Sequence, residues 1–152
     1  MQRKSSFLAA AVLLAALFVP AMISQAHARD RHPAYIHALA DLRLARGYLA
    51  KLTPDEHLDA EQQQAVAEID RAISDIKQAS IDDGKRLDEH APVDVRMQKH
   101  DRFSRAKEAL DAALNDVAHE EDDPATRDLQ KRTIDHIHRA FNLVQTIYLR
   151  GH

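Results

Sequence analysis

The chain has 152 residues, no cysteine, no tryptophan, three glycines and a formal net charge of −3 with histidine neutral. Without cysteine it has no disulfides, no lipid-modified cysteine anchor, no covalent c-type haem, no thiolate iron–sulfur ligation and no thiol redox chemistry. A net acidic chain without a long basic stripe also argues against nucleic acid as its partner.

The N-terminus reads as an export signal over residues 1–28. Arg3 and Lys4 form a positive start, and Phe7 to Ile23 is an almost unbroken apolar stretch. Ala26-His27-Ala28 then supplies the small residues that signal peptidase requires. Cleavage there leaves a domain over 29–152, with 19 basic residues against 24 acidic ones. That length suits one domain with a single core. It also implies a periplasmic or secreted address, with no membrane span left after cleavage.

Four amphipathic segments follow, with apolar residues at alternating three- and four-residue spacing. The first carries Tyr35, Ala38, Leu42, Ala45, Leu49 and Leu52, and Pro33 opens it. The second carries Val66, Ile69, Ile73 and Ile76 after the Thr53-Pro54-Asp55-Glu56 capping box, with Gly84 as its closing residue. The third carries Phe103, Ala106, Leu110, Ala113 and Val117, with Asp101 as its cap. The fourth carries Ile134, Ile137, Phe141, Val144 and Tyr148 after Asp123-Pro124. The expected spans are about 33–52, 54–82, 102–119 and 124–149. No segment alternates with a period of two, so the expected fold class is all-α, a four-helix bundle.

Sliding the chain on itself by 68 residues lays Tyr35 on Phe103, Leu42 on Leu110, Ile69 on Ile137 and Ile76 on Val144. One shift fits both helices of a pair, so the bundle is expected to consist of two related helical hairpins. Residues 85–101 join them, with Pro92 and no clear period, and make a longer connector than bundles usually need. It either stays at one end or crosses the length of the bundle.

Histidine is the unusual residue, with nine after residue 28. In an up-down-up-down bundle, the first helix start, the connector and the last helix end share one end. His32, His37, His90 and His100, perhaps with His152, would gather there as ligands for zinc, copper or nickel. Asp135-x-x-His138 has the spacing of half a di-iron site, but Ala67 and Asp70 stand where the repeat should supply the other half. Met97 falls in the connector, away from any axial haem position. Glu120 to Asp123 lacks the central glycine of a calcium loop and suits a helix N-terminus instead. Lys85, Arg86, Arg96, Lys99, Arg102, Arg105 and Lys107 make a basic zone broken by acids. His136 is placed pointing away from the helical seam. No serine elbow, thiol or phosphate-cradling loop is present, so no catalytic residue is assigned and no enzyme is expected.

Leu52-Thr53-Pro54-Asp55-Glu56 with Gln62-Gln63-Gln64 resembles the Leu-Thr-x-x-Gln segment of periplasmic stress chaperones of the Spy/CpxP type. Here Glu56 stands in place of Gln, and the motif occurs once. That resemblance implies an exported helical protein that holds unfolded clients on a concave surface. His32-Pro33-Ala34-Tyr35-Ile36-His37-Ala38-Leu39-Ala40-Asp41-Leu42-Arg43, with the later Ile81-Asp82-Asp83-Gly84-Lys85, is similar to a group of small exported bacterial proteins without an assigned activity. It implies export and helical fold, and carries no catalytic residue over. The leading expectation is a non-enzymatic binding or envelope-stress accessory protein with a protein or envelope partner. The alternatives are a histidine-based metal binder and a Spy-like chaperone.

Overall fold

The computed structural model describes residues 33–50, 57–78, 84–94, 96–119 and 127–151. Among these the chain is all-helical and without strands: α1 is Pro33–Ala50, α2 Ala60–Gln78, α3 Lys99–Ala118 and α4 Arg127–Arg150. Residues 1–28, His32, Leu52 to Glu56, Glu120 to Pro124 and His152 lie outside the described residues.

Local chemistry sets the helix ends. α2 starts at a capping box of its own: Gln62 N–H donates to Asp59 Oδ1 at 2.7 Å, and Asp59 N–H donates to Gln62 Oε1 at 3.3 Å. Each side chain satisfies a backbone donor that the first turn leaves open. Gln63 Nε2 adds a bond to the Leu58 carbonyl. α3 begins at Lys99, so Asp101 sits inside its first turn rather than at the cap, where Gln98 stands. At the other end, Gln130 Nε2 donates to the Val117 carbonyl and ties α4 to the last turn of α3. Gly84, with φ 73°, takes the left-handed conformation six residues beyond the end of α2.

The core follows the expected stripes of α1 and α3 and most of that of α2, where Ala65 is buried and Val66 only half-buried. Tyr35, Ala38, Leu42, Ala45 and Leu49 of α1 are buried, as are Ile69, Ile73 and Ile76 of α2 and Phe103, Ala106, Leu110, Ala113 and Val117 of α3. Each large aliphatic side chain so buried contributes about 1.5–3 kcal/mol against exposure. α4 differs. Its buried stripe runs through Thr133, Ile137, Ala140, Val144 and Ile147, whereas Phe141 and Tyr148 are half-buried. The helix is turned so that Lys107 of α3 covers both rings, 5.5 and 4.7 Å from their centroids. That turn carries His136 and Arg139 toward α2.

α1 packs chiefly on α3 and α2 chiefly on α4, and α1–α2 and α3–α4 contacts close the ring. Named contacts fix the directions. Asp41 lies near Asp116, and Tyr48 near Arg105, so α1 and α3 run antiparallel. Glu61 pairs with Arg150 and Asp75 with Arg132, so α2 and α4 do too. His100 stacks on Tyr148 at 4.1 Å while Gln130 reaches Val117, which makes α3 and α4 antiparallel. The start of α3 therefore lies at the end of the bundle opposite the start of α1, beside the start of α2, where Lys99 pairs with Asp59.

Non-helical residues 84–94 and 96–98 lie between α2 and α3 in the chain. The Lys85 carbonyl accepts from Lys77 Nζ near the end of α2 and from Arg43 Nη2 of α1. Further along, the His90 ring rests on Gly47, so close that a Cβ there would meet ring atoms at 2.6–2.9 Å. Val93 is buried. This strand of chain thus rises along the flank of α1 from Arg43 to Gly47. It hides Arg43, whose side chain is fully buried.

Candidate functional site

Between α1 and that flanking segment lies a cleft of about 400 Å³. Its helical wall is Ala40, Asp41, Arg43 and Leu44, and its outer wall is Lys85, Glu89, His90 and Ala91. The sequence positions the wall directly: Ala40, Asp41 and Leu44 share one face of α1 beside the core stripe. Arg43 is drawn inward because its guanidinium donates to the Leu39 and Lys85 carbonyls, each at 3.4 Å. Buried charge needs such partners. His90 Nδ1 lies 2.6 Å from the Ala91 carbonyl and donates to it, which holds the ring against Gly47.

The cleft mixes charges. Lys85, Arg43, Asp41 and Glu89 all line it. Burial raises the Asp41 carboxyl above its ordinary value, the charge of Asp116 adds to this, and His37 offsets part of it. A polar molecule with both signs of charge finds complementary groups on these walls.

Of the histidines expected to gather, the described ones, His37, His90 and His100, are not brought to one place. His37 is exposed on the first turns of α1, His90 lies on Gly47 near the far end of α1, and His100 stacks on Tyr148 at the start of α3. Because α3 runs against α1, His37 and His100 occupy opposite ends of the bundle. The expected up-down-up-down order had placed them together. His32 and His152 lie outside the described residues, and among the described residues no group of three or more histidines or carboxylates is arranged to hold a metal.

The basic zone is largely neutralised within the chain: Arg86 pairs with Asp88, Lys99 with Asp59, and Arg105 with Glu108, while Arg102 is buried. Among the described residues the exposed large apolar side chains are Leu87 and Leu149, on different elements.

Sequence reasoning missed a charged cluster across α2 and α4. Glu68 is buried, with its side chain 5% exposed. It accepts from His136 Nδ1 at 2.6 Å and from Arg139 Nε at 3.0 Å on α4, and pairs with Arg71 on its own helix. Burial pushes its carboxyl up, but the His136 and Arg139 hydrogen bonds and the charges of Arg139 and Arg71 outweigh it and hold it below its ordinary value. On the other side of the ring, His136 Nε2 is 3.7 Å from Asp75 Oδ2, and Arg132 reaches Asp75 Oδ1 at 3.5 Å. A signal for this cluster was present in the shift of 68, which superposes Glu68 on His136. Glu68 lies near the middle of α2 and His136 near the middle of α4, so antiparallel packing brings them face to face.

Comparison with family models, with curated proteins and with solved structures finds no match.

Proposed function

We propose that this chain is an exported, non-enzymatic binding protein, and that its ligand site is the cleft between α1 and residues 85–91. The observation that carries this reading is the cleft itself: a space of about 400 Å³ walled by charges of both signs. Two of its polar side chains, Arg43 and His90, hold the walls in place. Arg43 ties the helix to the Lys85 carbonyl, and His90 Nδ1 is spent on the Ala91 carbonyl. The ligand class that suits the walls is a small zwitterion, with its anionic end toward Lys85 and its cationic end toward Asp41 and Glu89.

Export rests on the reading of residues 1–28 and on the resemblance to small exported helical proteins. No helix among the described residues is long and apolar enough to cross a membrane. The bundle is read as a duplicated helical hairpin. Support comes from the matched burial of Tyr35 with Phe103, Ala38 with Ala106 and Leu42 with Leu110, 68 residues apart. The flanking segment is then the connector between the two copies, and it supplies the cleft's outer wall.

Expression of the full chain, recovery from the extracytoplasmic fraction and native mass spectrometry test this reading. The expected product begins at Arg29 and retains a small molecule that is lost from Leu44→Trp, a substitution that fills the cleft. Retention of residues 1–28, or ligand occupancy unchanged in Leu44→Trp, would overturn it.

A further inference from the structure

We propose that a second ligand site lies at the end of the bundle remote from the start of α1, a recess that takes the carboxylate of a small organic acid with an apolar tail. It stands apart from the cleft beside α1 and rests on two under-used cations above an apolar floor.

The recess measures about 240 Å³ and forms where α2 and α3 begin and α4 ends. Asp59 and Glu61 line it at the start of α2, Lys99 and Phe103 at the start of α3, and Ile147 and Arg150 at the end of α4. Phe103 is the first apolar residue in the buried stripe of α3, and Ile147 is the last in that of α4. The apolar core therefore comes to its end in this floor.

Each acid on the rim already has a close partner. Asp59 Oδ1 accepts from the Gln62 N–H at 2.7 Å in the cap of α2, and Glu61 Oε1 accepts from Arg150 Nη1 at 2.6 Å. The cations keep donors in hand. Lys99 Nζ stands 3.8 Å from Asp59 Oδ2, beyond hydrogen-bond reach, and 5.5 Å from the centre of the Phe103 ring. Among the described residues it makes no hydrogen bond, so all three of its donors remain. Arg150 spends Nη1 on Glu61, and the guanidinium has further N–H groups to offer. Lys99 is also the first residue of α3, where a positive charge works against the helix dipole. Neither the helix nor a hydrogen bond within the chain accounts for a lysine there.

A carboxylate at the rim gains the Lys99 ammonium and the free N–H groups of Arg150. Its tail lies on Phe103 and Ile147 and takes apolar surface out of water. An inorganic anion gains the charges without the floor. Asp59 and Glu61 also repel a second negative charge, so a monoanion is preferred to a phosphate dianion.

Amide NMR on the protein obtained by expressing the full chain tests the site, with acetate, propionate, butyrate and inorganic phosphate as separate titrants. The expected result is saturable shifts at residues 59–61, 99–103 and 147–151. Affinity should rise about twofold to fourfold per methylene, as burial of the tail requires, with phosphate weaker than butyrate. Lys99→Gln, at a half-exposed position outside the core, is expected to weaken butyrate about fivefold. Affinity that ignores chain length, phosphate as tight as butyrate, or unchanged affinity in Lys99→Gln would each overturn the proposal. So would an absence of saturable shifts, or shifts confined to residues 40–44 and 85–91.

Discussion

His136 Nδ1 and Glu68 Oε2 are 2.6 Å apart although the two residues are separated by 68 positions in the chain. The same interval relates the apolar stripe of α1 to that of α3 and the stripe of α2 to that of α4. Positions a fixed interval apart on two antiparallel helices meet at only one level of their pairing, here near its centre. Glu68 and His136 therefore occupy the middle of the α2–α4 seam, where one buried carboxylate gathers an imidazole and two guanidiniums.

Glu68→Gln should destabilise the bundle by about 2–3 kcal/mol in urea unfolding at neutral pH, because it leaves His136 and Arg139 facing a group without charge. The half-exposed arginines keep the loss toward the lower end. The acid limb follows from the lowered carboxyl of Glu68. Its contribution is complete above its ordinary value of 4.5 and disappears as pH falls through its lower folded value. Stability of the wild type should thus converge on that of Glu68→Gln in acid. Parallel curves down to the lowest accessible pH would contradict this.

Asp41 has the opposite sign. Its carboxyl is raised by burial and by Asp116, so the ionised form weakens the α1–α3 pair at neutral pH. Asp41→Asn should leave stability unchanged or raise it by up to about 0.5 kcal/mol at pH 7. The difference should shrink as pH falls through the raised value toward the ordinary 3.8, because the wild-type carboxyl then takes up its proton in the folded state first. Thermal unfolding of both proteins across that range checks the sign.

Gly47 lies inside α1, where glycine costs about 1 kcal/mol relative to alanine. A Cβ at this position would meet the His90 ring at 2.6–2.9 Å, so the ring and its segment must move to admit it. Gly47→Ala should therefore give none of the propensity gain in wild type, and should stabilise by about 1 kcal/mol in a His90→Ala background. A double-mutant cycle with no coupling would show that the segment is not seated on α1.

Asp59→Ala removes one half of the reciprocal cap at the start of α2 and should cost about 1 kcal/mol. Gln62→Ala should cost a comparable amount, and the double variant less than the sum. Strict additivity in urea unfolding would argue that the two bonds do not act as one cap.

The four helices and most core positions were legible because a heptad stripe states which residues face inward, and Leu42, Ile69, Leu110 and Ile137 all do. α2 was harder to start. Thr53 with Glu56 and Asp59 with Gln62 both have the capping spacing, and local pattern alone cannot choose between them. α4 was turned by contacts that no period records: Lys107 over Phe141 and Tyr148 moves the stripe to Ala140 and Ile147. The cleft was invisible because it depends on a non-helical segment lying along α1. One hint existed: Leu39 and Leu44 make α1 apolar beyond its stripe, as a helix covered on two sides must be. His37 and His100 are separated for a topological reason, since spacing says nothing about whether α3 runs with α1 or against it.

The central claim is that the cleft beside α1 binds a small zwitterion. Amide NMR of the isotopically labelled protein, titrated in turn with glycine, glutamate and lysine, tests it most directly. The account predicts saturable shifts confined to residues 40–44 and 85–91, weakened by Lys85→Glu and absent from Leu44→Trp. Saturable shifts elsewhere on the bundle, or none at millimolar concentrations of all three, would contradict it.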